Sequence, residues 1–451
     1  MSHVWNRLPG VAALLLLIAG LFYAGGAFAQ EAAAPAPTLL AHQAALELNG
    51  ADTAWLGTSA ALVLLMTLPG LALFYGGMVR RKNVIATITQ SVGVFAVVTV
   101  LWFVAGYSIA FGVNPDETLQ QYVGSFDAVF LNGVTLDTAH SLLPGIPEFV
   151  FLTFQMTFAI ITPALVTGAF AERMKYSGLL LFTALWTLVV YAPICHWVWG
   201  GGFLGSAGVL DFAGGAVVHV NSGVAGLVCA IFLGRRKGYG TEPINPHNPV
   251  LTMIGASLLL VGWIGFNAGS AGAANGLMGA ALINTILAAA AAALTWKLVE
   301  VIEKRKASLI GMLSGIVAGL VAITPAAGFV DPKGAFFIGA IAGPVCYISS
   351  VWLKKLLRYD DSLDAFGIHG AGGLAGALLT GVFASTAINS LSEGANIPAQ
   401  ALGLAWTIAY SAIGTLVILI ICKFTTGLRV SEAVEAEGLD TSLHGETVDH
   451  V

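Results

Sequence analysis

The stretch Asp211-Phe212-Ala213-Gly214-Gly215-Ala216-Val217-Val218-His219 places an acid, two glycines and a histidine inside an apolar run. A related stretch, Asp364-Ala365-Phe366-Gly367-Ile368-His369-Gly370, follows about 150 residues later. One histidine in apolar sequence is usually a structural hydrogen-bonding residue. Two, each preceded by an acid and glycines, predict that His219 and His369 meet in the middle of a membrane and line a path. A neutral imidazole offers one donor and one acceptor, so two adjacent rings can share a proton between them. No third ligand accompanies them, which argues against a zinc site.

The rest of the chain supports a membrane setting. Of 451 residues, 57% are hydrophobic and 10% charged. A soluble domain carries about 25% charge, so most of this surface should face lipid or protein. The 55 glycines lie within apolar runs and fit close helix packing. Net charge is -5, and the scattered basic residues form no nucleic-acid surface. Cys195, Cys229, Cys346 and Cys422 lack the spacing of a metal or disulfide framework and read as small buried hydrophobes.

Arg7, the apolar core from Val11 to Tyr23 and Ala27-Phe28-Ala29 predict a cleaved signal peptide over 1–29; an uncleaved extra helix is the rival. Residues 30–50 are Ala/Pro-rich and read as a flexible, weakly structured segment. Beyond them the pattern predicts an all-α polytopic membrane protein. Its eleven spans are expected at 54–78, 84–112, 147–171, 176–199, 213–234, 249–268, 275–300, 308–325, 334–356, 366–386 and 401–424. Hydrocarbon about 30 Å thick needs about 20 helical residues. Lys and Arg gather after spans 1, 3, 5, 7, 9 and 11, with Arg80, Arg81 and Lys82 the first group. That asymmetry puts the start outside and the C-terminus in the cytoplasm. Spans 1–5 and 6–10 each end on an Asp…His stretch. Five is odd, so the halves must be inverted relative to each other, with span 11 added.

Several other residues are candidates for chemistry. Asp211 and Asp364, at the outer and inner boundaries, fit two roles each: capping helix amides, or attracting a cation. Trp199 precedes three glycines, Phe158 lies in span 3, and Gly262-Trp263-Ile264-Gly265-Phe266-Asn267-Ala268-Gly269-Ser270 closes span 6. Such Trp residues fit interfacial anchoring. Their flanking glycines equally allow an inward ring, which would bind a small cation, with Ser270 accepting one of its hydrogens. The joint 113–146 has four acids and no basic residue, matching either a cation-attracting vestibule or an ordinary solvated loop. The chain carries no phosphate loop, nucleotide fingerprint or hydrolytic constellation.

From about residue 52 onward the chain resembles the bacterial ammonium transporter family within the ammonium transporter–Rhesus group. The resemblance rests on Phe74-Tyr75-Gly76-Gly77, Ala171-Glu172-Arg173, Asp211 to Gly215 with His219, Gly265 to Ser270, and Gly367-Ile368-His369-Gly370. It implies a multi-pass protein of the cytoplasmic (inner) membrane and a homotrimer with one pore per subunit. It implies an outer ammonium site at Phe158, Trp199 and Ser270 with Asp211 near it, and a phenyl gate at Phe158 and Phe266. The twin histidines His219 and His369 would line the pore, and Ser314 and Thr324 match small polar residues of span 8. The expected domains are a periplasmic segment at 30–50, a transmembrane domain at 51–427 and a regulatory cytoplasmic tail at 428–451, the last a possible contact for a PII signalling protein. No cofactor and no enzymatic activity are implied. The expected function is ammonium uptake, with ammonium deprotonated at the entrance and its proton also carried inward. A passive ammonia channel and an ammonium sensor are the alternatives.

Overall fold

Among the residues that the computed structural model describes, 43–448, ten helices are long and apolar enough to cross a membrane. They are α1 (Gly50–Met78), α2 (Arg81–Phe111), α3 (Glu148–Phe170), α4 (Tyr176–Ser206), α5 (Gly215–Leu233), α6 (Pro249–Gly269), α7 (Gly276–Lys304), α9 (Pro332–Leu357), α10 (Phe366–Phe383) and α11 (Ile397–Thr425). Between α7 and α9 lies a shorter apolar helix, α8 (Leu309–Ile323), at the place of the predicted 308–325 span. The protein is thus an all-α polytopic membrane protein. The expected signal peptide lies outside the described residues.

The helix starts follow local chemistry. Asn248, Asn275, Ser308, Asp331 and Asn396 each accept backbone amides at a helix N-terminus, which covers donors with no partner inside the helix. Pro249, Pro332 and a proline near the start of α11 occupy early positions where a missing N–H costs nothing. Residues 43–49, within the segment expected to be weakly structured, are tied down: β1 (Gln43–Ala45) pairs antiparallel with β2 (Thr138–His140). Glu47 and Asn49 then donate to the carbonyls of Pro144 and Gly145.

Glycines bring α5 and α10 together. A Cβ on Gly223 would lie 2.2 Å from the backbone nitrogen of Gly370. One on Gly373 would lie 3.0 Å from the Gly215 carbonyl oxygen. Only hydrogen at these positions lets the two backbones touch. Both helices also begin with a π-helical turn, Gly215–Val220 and Phe366–Gly370, and each turn contains one of the histidines. In the first, the His219 amide donates to the Gly214 carbonyl five residues back at 3.0 Å.

The end that carries most of the basic joints is held by buried charge. Arg236 grips Asp360 through Nε (2.9 Å) and Nη2 (2.8 Å), and reaches Glu172 through Nη1 (3.0 Å). Arg80 donates to Glu172 from both its backbone and Nε. Arg173, fully buried, donates to the carbonyls of Ala169 and Asp360. Burial alone would raise the Glu172 and Asp360 carboxyls, but these guanidinium partners hold both below the usual range. Residues that read as topology signals therefore also clamp the fold. The tail docks on the same end: Asp440 accepts the Ala86 amide at 2.8 Å and Glu435 accepts the Lys237 amide at 2.6 Å. Leu439 donates to the Asn83 side chain and Lys82 to the Ala436 carbonyl.

Candidate functional site

The predicted residues from α3, α4, α5, α6 and α10 form one column of rings. Trp199 stands edge-on to Phe158, centroids 5.9 Å apart. Phe158 stacks on Phe266 at 4.1 Å, and Phe266 on His219 at 5.9 Å. His219 stacks on His369 at 5.3 Å, with the two Nδ1 atoms 3.3 Å apart. An Nδ1–Nδ1 hydrogen bond holds one proton, so one ring donates and the other accepts. His219 Nε2 is buried without a hydrogen-bond partner. Phe158, Phe266, His219 and His369 are all buried.

The Trp199 end of the column is assembled by Asp211. Its carboxylate accepts four amides: Gly214 (2.8 Å) and Gly215 (2.5 Å) on one oxygen, Ala216 (2.8 Å) and Val217 (3.1 Å) on the other. Gly214 adopts φ 113°, a left-handed turn that aims these amides at the acid. Of the two roles open in the sequence, capping is the one the geometry fills. Burial pushes the Asp211 carboxyl above its ordinary range, and the four amides pull it part of the way back. The Asp211 carbonyl also accepts the Trp199 indole N–H at 2.8 Å. That leaves the ring face of Trp199, rather than its N–H, available to a ligand. Ser270 donates its hydroxyl proton to the Phe266 carbonyl at 2.8 Å, so its oxygen keeps lone pairs to accept another hydrogen.

At the His369 end, Asp364, expected either to cap helix amides or to attract a cation, is not the capping acid. Asp364 has φ 59° and is ion-paired with Lys354. The capping acid is Asp361, which accepts the amides of Ala365 (3.0 Å) and Phe366 (2.8 Å). Asp361 precedes His369 by eight residues, as Asp211 precedes His219. That equal spacing is the signal the sequence holds, masked by an acid closer to His369.

Trp263, grouped with the interfacial tryptophans, is buried and stacks on His219 at 5.2 Å. Its indole N–H donates to Thr324 Oγ1 at 2.9 Å. Thr324 thus reaches the column through Trp263, whose ring it orients. The glycine before Trp263 is the clue in the sequence. A Cβ on Gly262 would meet the Met66 side chain at 2.2 Å, so α6 lies tight on α1 with Trp263 turned inward. Ser314 is buried on α8 and enters none of the column's ring contacts or hydrogen bonds among the described residues. No group of three His, Cys, Asp or Glu able to hold a metal occurs among the described residues.

Residues 54–449 match the model of the Ammonium Transporter Family. This chain belongs to that family. It is 48% identical over 415 residues to an ammonium transporter of Aquifex aeolicus (strain VF5), covering 90% of this chain and 95% of the relative. It is 47% identical over 402 residues to an ammonium transporter of Bacillus subtilis (strain 168), covering 88% and 97%. The crystal structure of Saccharomyces cerevisiae Mep2 matches with a TM-score of 0.78 at 34% identity, covering 85% of this chain and 88% of that one. The family is one of transporters, not of enzymes.

Proposed function

We propose that this member of the ammonium transporter family takes up ammonium across the bacterial cytoplasmic membrane. In this reading, ammonium is recruited at an outer site, gives up its proton there, and crosses as ammonia past the twin histidines. The proton crosses too, so transport is electrogenic. The observation that carries the reading is the closed ring column, with Phe158 on Phe266 at 4.1 Å and the histidine pair directly beyond.

Ammonium holds its water tightly, and stripping it without replacement costs several kcal/mol, about 2–7 for even a neutral polar group. The Trp199 and Phe158 faces and the Ser270 oxygen replace part of that water. Asp211 adds negative charge nearby while it holds Trp199 in place. Below the phenyl gate a dry lumen disfavours a cation and admits the neutral gas. The His219–His369 pair offers hydrogen bonds to ammonia and a site that carries one proton. Potassium has no proton to lose, so it is rejected by chemistry as well as by size.

The topology assigned to this function is eleven spans, α8 included, as two inverted sets of five with α11 added. The N-terminus is periplasmic after signal removal, and the tail at 428–451 is cytoplasmic. The assembly is a homotrimer with one pore per subunit, and a PII signalling protein docks at the cytoplasmic face. The equal Asp–His spacing at α5 and α10 supports the repeat, and the Lys/Arg distribution supports the orientation.

Protein reconstituted on a solid-supported membrane tests the mechanism. An ammonium jump should give an inward current in the wild type, and His219→Ala and His369→Ala should each lose most of it. Ammonia flux without current would establish a passive channel instead. Unchanged current, flux and ammonium-over-potassium selectivity in both variants would remove the histidines from the mechanism.

A further inference from the structure

The outer joint between α2 and α3 contains a feature that transport does not use. Phe130 and Leu131 both adopt the left-handed region, each with φ 55°. Two bulky side chains in succession there is a costly backbone, and such strain persists only when the surroundings hold it. They do hold it. The Ser108 hydroxyl on α2 donates to the Ser125 carbonyl (2.8 Å) and accepts the Ala128 amide (3.0 Å), pinning the base of the turn to α2. The Leu131 and Asn132 amides then close onto the Ala128 and Val129 carbonyls. The effect is to send Leu131 inward against the core and Phe130 outward, 60% exposed.

What Phe130 meets outside decides its role. It packs edge-on against Phe103, centroids 5.6 Å apart. Phe103 ends a single exposed stripe on α2: Val92, Ala96, Val100 and Phe103. That spacing of four, four and three is one helical face, and every member is apolar. The opposite face, Val94, Val98 and Trp102, is fully buried, with Trp102 donating to the Leu152 carbonyl of α3. In a membrane-spanning helix an apolar stripe turned away from the bundle faces lipid. Phe130 continues that stripe past the place where residues of α2 can supply it.

We infer that Phe130 is a membrane anchor, which seats the outer loop in the headgroup–acyl boundary of the outer leaflet. Its partner is lipid of neutral headgroup, recognised through apolar contact. The loop's charges are consistent with this choice. Residues 113–146 contain Asp116, Glu117, Asp127 and Asp137 and no Lys or Arg, so anionic headgroups gain nothing from it. The loop also packs on the end of α4 that carries Trp199, because Trp197 of α4 donates to the Tyr122 carbonyl and Gln120 donates to the Gly200 carbonyl. Seating it in lipid therefore steadies the outer mouth.

A nitroxide on Phe130→Cys in full-length protein in phosphatidylcholine bilayers tests the anchor. The four native cysteines are buried. Collision with oxygen should exceed collision with a water-soluble nickel complex, giving a ratio nearer that of Val100→Cys than that of Asp137→Cys. Adding phosphatidylglycerol or raising salt should leave the ratio unchanged. A ratio like that of Asp137→Cys means the residue is in water and overturns the proposal. Low collision with both reagents means it is covered by another subunit, which also overturns it. Should the cysteine variant fail to fold, Phe130→Trp keeps the bulk. Its emission should then be quenched by lipid brominated near the headgroup beyond the wild-type quenching, and equal quenching would refute the anchor.

Discussion

The two turns that carry His219 and His369 use the same local device in different surroundings. Asp211 and Asp361 each lie eight residues before a histidine and each cap the π-helical turn that carries it. Asp211 holds four amides and a tryptophan's anchor, with its charge answered by backbone alone. Asp361 holds two amides beside an ion pair, Lys354 with Asp364, and its neighbour Asp360 is gripped by Arg236. One acid thus holds a four-amide turn and anchors a tryptophan, and the other sits in a structural lattice of charge. Equal backbone geometry does not imply equal chemistry.

The largest test of that contrast is to remove each acid. A buried amide left without its acceptor costs about 1–3 kcal/mol. Asp211→Ala should therefore cost about 4 kcal/mol and Asp361→Ala about half as much, read as loss of Tm in detergent. Asp211→Ala should also weaken ammonium recruitment, because the turn whose backbone carbonyl at 211 anchors Trp199 loses the acceptor of its four amides. Equal losses, or a larger loss at Asp361, would break the comparison.

A second test uses pH. Burial and the nearby Asp364 push the Asp361 carboxyl up to about 6, against the pull of Lys354 and two amides. The folded state then prefers the protonated acid. Its contribution is fully present below the unfolded value of about 4 and is lost as pH rises through about 6. Wild type should therefore lose stability relative to Asp361→Asn as pH rises through about 6, read as a Tm difference that shifts with pH. A difference that stays flat with pH would show that Asp361 does not titrate apart from its neighbours.

The smallest expected effect lies between the two ends. Thr324→Val removes the acceptor of the Trp263 indole and should cost about 1 kcal/mol. Transport should fall modestly, through loss of the stack that steadies His219. Transport and stability both unchanged would leave Trp263 as packing only.

Much of this is legible in the chain. The segments expected at 249–268 and 176–199 reappear as α6 and as the part of α4 that ends at Trp199, where Gly200 to Gly202 separate it from the short helical turn Phe203–Ser206. Phe158, Trp199, Phe266, Ser270 and both histidines stand out by residue type and motif, and they lie together. Trp263 and Asp361 are harder to place because each depends on direction. A tryptophan's side of the helix, or which of three nearby acids reaches the amides, follows from rotation and turn geometry that spacing alone does not encode.

By itself, the sequence determined the apolar segments, their order, and the two histidines inside them. Hydrocarbon imposes its length on any chain that crosses it, so those features are local and one-dimensional. Only the tertiary structure decided that Gly223 would lie on Gly370, that Trp263 would stack on His219, and that Asp361 rather than Asp364 would cap. Those outcomes depend on how closely two helices cross and how each is turned about its axis. Packing settles both, because buried polar groups must find partners and glycine sets how near the backbones can come.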